Sequence, residues 1–161
     1  MPDAPPAIPY AHAMVDDASL SKWLRRSAGW AAAVYGAGEA TSRAYFIALS
    51  RKWFVAPIDF GRFTLAQDVV DWAEVAAHVL LLVAGVLVLR SAKAGVAALR
   101  AAAAAVLLAI WVQQAHNMVA ERFLTFFRPY NLLGAVAGGS VLPALLIVMT
   151  LGPMGRAMRR A

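Results

Sequence analysis

Four stretches of apolar residues, separated by short clusters of charged and aromatic residues, dominate the pattern along this chain. The stretches cover approximately residues 27–50, 69–89, 99–124 and 132–151. Each is about as long as the roughly 20 residues that a helix needs to cross a bilayer. Their runs of alanine, valine and leucine favour helices, and the period-two alternation of membrane β-strands is lacking. The pattern therefore predicts an all-α fold, an integral membrane bundle of four transmembrane helices.

Composition favours a membrane protein over a soluble one. The 161 residues are 61% apolar with a mean hydropathy of +0.64, whereas soluble domains are usually about 45–50% apolar. A soluble chain of this size has too little interior volume to bury that excess. The net charge of +6 would suggest nucleic acid on a soluble protein. Here the basic residues flank apolar stretches, where they anchor helices, so no nucleic-acid partner is predicted.

The chain divides into one transmembrane domain and two tails. Residues 1–18 contain four prolines and three aspartates, and no basic segment precedes an apolar run. They are therefore predicted to be an extramembrane tail and not a secretory signal. Residues 19–155 form the transmembrane domain, whose first helix begins near Ser19 or Ser21, since either side chain could cap it. Residues 156–161 form a basic C-terminal tail.

Basic residues are divided unequally between the two sides of the predicted bundle. The side that holds both termini has nine: Lys22, Arg25, Arg26, Arg90, Lys93, Arg100, Arg156, Arg159 and Arg160. The opposite side has five, together with three aspartates: Arg51, Lys52, Arg62, Arg122 and Arg128, with Asp59, Asp68 and Asp71. The positive-inside rule predicts that both termini are cytoplasmic. The expected location is a bacterial inner membrane, with the mitochondrial inner membrane as the alternative.

Ionisable and amide side chains recur within three of the predicted spans, mainly in their outer halves. Such groups are costly in a bilayer and usually face protein. Glu39 and Arg43 have the i,i+4 spacing of an intrahelical pair, and a buried ion pair is predicted. The remaining groups are predicted to lie at similar depth and to form one outer-side ligand site: Glu74, His78, Gln113, His116, Asn117 and Glu121.

The predicted outer-side site has several chemical interpretations. Two histidines beside carboxylates could ligate a haem or a metal ion, and imidazole and amide groups could hydrogen-bond a quinone. No spacing forms a specific metal signature, so any metal stays unknown. The structural alternative is that interhelical hydrogen bonds and the ion pair fix the packing. Gly134 and Gly138 form a GxxxG pattern, which predicts close helix packing within the bundle or against another subunit.

Four segments follow the order of motifs found in a known family of membrane proteins: "WAEVAAHVLLLVAGVLVLR", "LRAAAAAVLLAIWVQQAH", "YNLLGAVAGG" and "TLGPMGR". They resemble the DoxX/DoxD-like family of small four-helix membrane proteins, with the match at Glu74, His116 and Asn131. The first span departs from that pattern in its Glu39 and Arg43, and His78 is additional. Members of the family are similar to subunits of quinol-oxidising or other membrane redox assemblies. The resemblance therefore implies a redox neighbourhood without fixing a reaction.

The sequence as a whole predicts an accessory or structural subunit of a larger membrane complex, respiratory or otherwise energy-converting, without catalytic activity of its own. The expected partners are membrane lipids and other membrane protein subunits. One alternative is a redox-associated protein that binds quinone or haem in the outer-side pocket. Another is a small transporter, although the aliphatic inner halves of the second and third helices disfavour a continuous polar path.

Overall fold

A computed structural model describes residues 17–53, 65–120 and 138–160, and every regular element in these ranges is an α-helix. The helices are α1 (Asp17–Trp53), α2 (Leu65–Arg90), α3 (Ala92–Ala120), α4 (Val141–Thr150) and α5 (Gly152–Arg160). The predicted all-α class is confirmed for this part of the chain. Most of the predicted tail at 1–18 lies outside the described ranges, and α1 begins slightly before the expected caps.

Two helices, α2 and α3, are long and apolar enough to cross a membrane. Their qualifying segments are Ala66–Arg90 and Lys93–His116, which overlap the predicted second and third spans. The apolar part of α3 begins earlier than residue 99, because its alanine-rich first turns follow the α2–α3 turn directly. α4 and α5 qualify only when taken together as one span, and they are bent by 70° relative to each other.

α1 is the longest described helix, at 37 residues, but composition does not place it among the candidate spans. The reason is its polar content, which includes Glu39 and Arg43 inside the predicted span at 27–50. At 1.5 Å per residue the helix is about 55 Å long, more than the thickness of a bilayer core. Composition alone therefore does not define the relation of α1 to a membrane.

Each long helix packs against its neighbours in sequence, and the chain then returns to α1. α2 lies between α1 and α3, α3 also packs against α4 and α5, and both short helices contact α1. The core between them is made mostly of small and branched apolar residues, and its most buried members include Ala28, Ala32, Leu81, Val88, Val96, Leu99, Val106, Leu146 and Met158.

The interface between α1 and α2 depends on glycines. A Cβ atom at Gly36 would lie 2.6 Å from the His78 carbonyl oxygen, and one at Gly85 would lie 2.6 Å from the Ala33 nitrogen. Cβ atoms essentially never lie this close to a non-bonded atom, so the two backbones are in direct contact at these positions. The two contacts fix the antiparallel register of α1 and α2.

The break between α4 and α5 has a local cause. Leu151 ends α4 by donating its N–H to the carbonyls of Ile147 and Val148, each at 3.1 Å. Gly152 then adopts a φ of +61°, a conformation that favours glycine over residues with a side chain. The predicted basic tail continues as helix α5 to Arg160, and α5 buries Met158 against the other helices.

The predicted GxxxG surface is only partly within the described ranges. Gly134 lies outside them, and no described atom lies within 4 Å of a Cβ built at Gly138. The neighbouring Gly139 makes the close approach instead, since its Cβ would lie 3.3 Å from the Ile110 side chain.

Candidate functional site

An ion-pair cluster joins α1 to α2. Arg43 Nη1 lies 2.6 Å from Glu74 Oε2, and Arg43 Nε lies 3.2 Å from Glu39 Oε2. One guanidinium therefore serves two carboxylates, and charge-assisted hydrogen bonds of this kind are among the strongest that side chains make. The intrahelical contact with Glu39 was predicted from spacing, whereas the interhelical contact with Glu74 was not.

The prediction of a buried Glu39–Arg43 pair needs a correction. The side chains of Glu39 and Arg43 are 37% and 33% exposed, while that of Glu74 is only 4% exposed. The reason is the orientation of α1, which turns Gly36 and Ala40 toward α2 and leaves Glu39 at the edge of the interface. Arg43 therefore matters most for Glu74, whose carboxylate is buried on the neighbouring helix.

His78 is completely buried next to this cluster. Its Nδ1 lies 2.8 Å from the Glu74 carbonyl oxygen, and a carbonyl only accepts, so Nδ1 donates. The neutral ring then carries its lone pair on Nε2, which is buried and has no hydrogen-bond partner among the described residues. The Tyr35 ring lies beside it, with 5.7 Å between ring centroids and 53° between ring planes.

Tyr35 links α1 to the residues immediately before α4. Its hydroxyl donates to the Gly139 carbonyl at 3.0 Å. The next residue, Ser140, is buried, and its hydroxyl oxygen has no partner in the described part of the chain. Tyr35 therefore lies between two residues, His78 and Ser140, that each have an unsatisfied polar atom.

Asp71 joins α2 to α3. Gln113 Nε2 donates to Asp71 Oδ1 at 2.9 Å, and Gln67 Nε2 donates to the same oxygen at 2.7 Å. Gln113 Oε1 is buried and finds no partner within the described ranges. Gln113 was predicted to line a ligand site, and its amide is the group that connects the two helices.

Arg100 joins α3 to the end of α4. Its Nε lies 3.4 Å from the Thr150 hydroxyl, and its Nη2 donates to the Thr150 carbonyl, while that hydroxyl donates to Ile147 at 2.8 Å. A cation at this position satisfies carbonyls that a helix leaves free at its C-terminus. The sequence pattern counts Arg100 only among the basic residues that orient the chain and does not predict this contact.

One polar contact therefore ties α1 to α2, α2 to α3, α3 to α4, and α1 to the segment before α4. The contacts are Arg43–Glu74 (α1–α2), Asp71–Gln113 (α2–α3), Arg100–Thr150 (α3–α4) and Tyr35–Gly139 (α1 to the segment before α4). In an apolar environment such contacts stabilise and orient helices that have no hydrophobic drive to associate. We call these four contacts the polar cross-links.

The two predicted site histidines lie at different heights. The Asp71–Gln113 contact fixes the α2–α3 register. From it, His78 lies seven residues toward the α2–α3 turn, and His116 lies three residues in the opposite direction. Ten residues correspond to about 15 Å along the helices, so the predicted equal depth is wrong. The prediction took the outer boundaries of the two spans, residues 69 and 124, as level, whereas Val69 lies about level with Ala115 in this register.

The other predicted site residues do not complete a shared pocket within the described ranges. Asn117 lies near the end of α3, and Glu121 and Asn131 lie outside these ranges. Among the described residues, no group of three or more His, Asp or Glu side chains is arranged to hold a metal ion. Glu74 and His78 are adjacent, while His116 is separate from both.

Comparison of the chain with protein-family models, with curated proteins and with solved structures gave no match in any of the three. The likeness to the DoxX/DoxD-like family therefore stays a prediction that rests on the four sequence segments.

Proposed function

We propose that the chain crosses a bacterial inner membrane four times, with both termini cytoplasmic, and serves as an accessory subunit of a larger membrane complex. The observation that carries the structural role is the set of polar cross-links. These four contacts join α1 to α2, α2 to α3, α3 to α4, and α1 to the segment before α4. A scaffold needs this arrangement, because polar contacts fix the rotation and register of helices in lipid.

The packing of α1 supports a first membrane span. Between Gly29 and Arg43, α1 contacts α2 from Leu89 to Glu74, which is most of the apolar length of α2. If α2 crosses a bilayer, this part of α1 lies in the same layer. The contact between Arg43 and Glu74 lowers the cost of bringing both charges there. The fourth span would comprise α4 with the residues that precede it.

The distribution of charge supports the orientation. The start of α1, the α2–α3 turn and α5 lie at one end of the antiparallel array, and eight of the nine basic residues of the predicted cytoplasmic side are at that end. The ninth, Arg100, lies further along α3, about level with Ala84. α5, bent by 70° from α4, would lie close to the membrane surface with Arg156, Arg159 and Arg160 near lipid phosphates.

α1 also presents a surface on which a partner subunit would pack. Trp30, Val34, Gly38, Thr41 and Tyr45 fall within about 80° of one another on the helix, and all are exposed. Gly38 and Thr41 form a notch between larger side chains, and small residues of this kind allow close approach of a second helix. We call these five residues the α1 stripe.

Site-specific photo-crosslinking in native membranes tests the accessory role. A photoreactive amino acid is placed at Val34 or Tyr45 on the α1 stripe, and at Leu108 on α3 as the control. All three side chains are strongly exposed, at 66%, 65% and 67%. We expect one discrete protein adduct from the two stripe positions and none from Leu108.

Two results would count against the accessory role. Adducts of equal yield at all three positions would indicate random collisions, and adducts with lipid alone at the stripe would indicate a lipid-facing surface. Native electrophoresis of gently solubilised membranes adds an independent measurement, since the proposal expects migration well above the mass of one chain. A respiratory or other energy-converting complex is the first candidate partner, because of the DoxX-like segments.

A second candidate function, quinone or haem binding, is favoured by one observation. His78 Nε2 is a buried hydrogen-bond acceptor without a described donor, and a quinol hydroxyl could supply one. The test is to extract the purified protein for quinone and to record its visible spectrum. His78→Ala should abolish the signal and His116→Ala should retain it, because the two histidines are about 15 Å apart along the helices. A colourless preparation free of quinone would reject this candidate.

A further inference from the structure

An apolar groove runs along α2 and α3 on the side of the hairpin that faces away from α1 and α4. Its volume is about 450 Å³, and its lining consists of Leu80, Val83, Ala84, Leu87, Ala98, Ala101, Ala102 and Ala105. The buried alanines Ala84 and Ala102 form the floor, and larger α2 side chains form one wall. Leu80 and Leu87 are seven residues apart, which makes the groove about 10 Å long.

Two cations lie at the height of the α2–α3 turn, and one of them is on the groove side. Arg90 follows Leu87 by three residues on the same side of α2, whereas Lys93 lies about 130° around α3 from the groove alanines. Both are exposed, and neither makes an ion pair with any described residue. An apolar groove that leads to an unpaired positive charge matches the acyl chain and the negatively charged headgroup of an anionic phospholipid.

We propose that this groove binds one acyl chain of an anionic phospholipid whose phosphate contacts Arg90. The alanines of α3 give the groove the depth to seat a hydrocarbon chain. Arg90 lies where a headgroup at the end of that chain would be, at the boundary between apolar helix and basic turn. A protein helix along the groove would need an acidic group at this one end to use the same charge, whereas an anionic phospholipid always carries one there. The proposal rests on the membrane location of α2 and α3 and not on the accessory role.

Native mass spectrometry of the full chain in detergent tests this lipid site. The protein is titrated with phosphatidylglycerol and, separately, with phosphatidylcholine that carries the same acyl chains. We expect preferential retention of one phosphatidylglycerol. Arg90→Gln should weaken its retention about fivefold, the effect of one basic residue near an anionic lipid. Ala101→Leu should weaken both lipids by filling the groove.

Matched controls and contrary results complete the experiment. Ala104→Leu adds the same side chain to an exposed position of α3 outside the groove, and Arg26→Gln removes an exposed cation from α1. Both should bind as the unchanged protein does. Equal retention of the two lipids would overturn the proposal, as would an Ala101→Leu variant that binds lipid normally but loses a protein partner. Arg90→Gln keeps the test decisive if Ala101→Leu does not fold.

Discussion

The two sides of α2 differ in how closely they approach a neighbouring helix. Toward α1, Gly36 and Gly85 bring backbones into direct contact, and Glu74 and His78 are buried there. On the opposite side, Leu80, Val83 and Leu87 stand exposed beside a groove of about 450 Å³. The first side has no room for an added methyl group at its glycines, whereas the second has room for a hydrocarbon chain.

This difference separates two roles within one helix. Interiors packed at close to crystal density respond strongly to any change in volume. An exposed groove responds little, because an added side chain can extend into solvent or lipid. We therefore expect substitutions on the α1 side to change stability and substitutions on the groove side to change binding.

The largest effect is expected from Arg43→Leu. This change leaves the Glu74 carboxylate buried without its cation, and the free energy of unfolding should fall by about 3 kcal/mol. The double variant Arg43→Leu with Glu74→Leu should recover most of the loss, since it leaves no unpaired charge. Unfolding in mixed detergent, followed by circular dichroism, measures the change.

The matched control for Arg43→Leu is Glu39→Gln, which removes the partly exposed carboxylate of the cluster. It should cost no more than about 0.5 kcal/mol. A double variant as unstable as Arg43→Leu alone would show that the Arg43–Glu74 contact is not what holds these helices.

Gly36→Ala should have the next largest effect. Its Cβ would meet the His78 carbonyl and the Leu82 nitrogen at 2.6 Å, so α1 and α2 would have to separate. Overpacking of this kind costs about 2 kcal/mol. Gly38→Ala, two residues away with nothing described within 4 Å, should be neutral or stabilise by up to about 1 kcal/mol. Equal thermal unfolding of the two variants would contradict the close α1–α2 contact.

Gln113→Leu should have a moderate effect, because it removes the contact between α2 and α3. Asp71 keeps its hydrogen bond from Gln67, so the cost should be about 1 kcal/mol, as for other hydrogen bonds between membrane helices. Gln114→Leu on the same helix is the control and should be close to neutral. The same detergent titration measures both variants. A larger loss of stability for Gln114→Leu than for Gln113→Leu would show that Gln113 does not make the contact with Asp71.

The smallest effect on stability is expected on the groove side. Ala101→Leu should change the free energy of unfolding by no more than about 0.5 kcal/mol in detergent, as for other exposed positions. A loss comparable to that of Gly36→Ala would mean that the groove is a packed interface, and the contrast between the two sides of α2 would fail.

The sequence predicts the helices better than their contacts. The apolar stretches at 69–89 and 99–124 identify α2 and α3, because length and composition within one segment carry that information. The spacing of Glu39 and Arg43 likewise predicts their contact, since both residues are on one helix. These predictions need no knowledge of how one helix sits against another.

Contacts between helices depend on rotation and register, which hydrophobic periodicity within one helix does not define. Arg43 reaches Glu74 because Gly36 and Gly85 set the α1–α2 register, and periodicity gives no sign of that pairing. The assumed common depth of His78 and His116 failed for the same reason. The contact between Arg100 and Thr150 has a weak signal in the sequence, because Arg100 is a basic residue on the side of the bundle where the fourth predicted span ends.

We propose that α1 lies inside the membrane beside α2, and the labelling of introduced cysteines measures whether it does. The natural sequence contains no cysteine, so each introduced cysteine is the only thiol in the protein. Val34→Cys on α1 and Val83→Cys on α2 should resist a membrane-impermeant maleimide in intact cells and in inverted vesicles, and should react after denaturation. Lys93→Cys should react in inverted vesicles only. Labelling of Val34→Cys from water as fast as Lys93→Cys would contradict the claim.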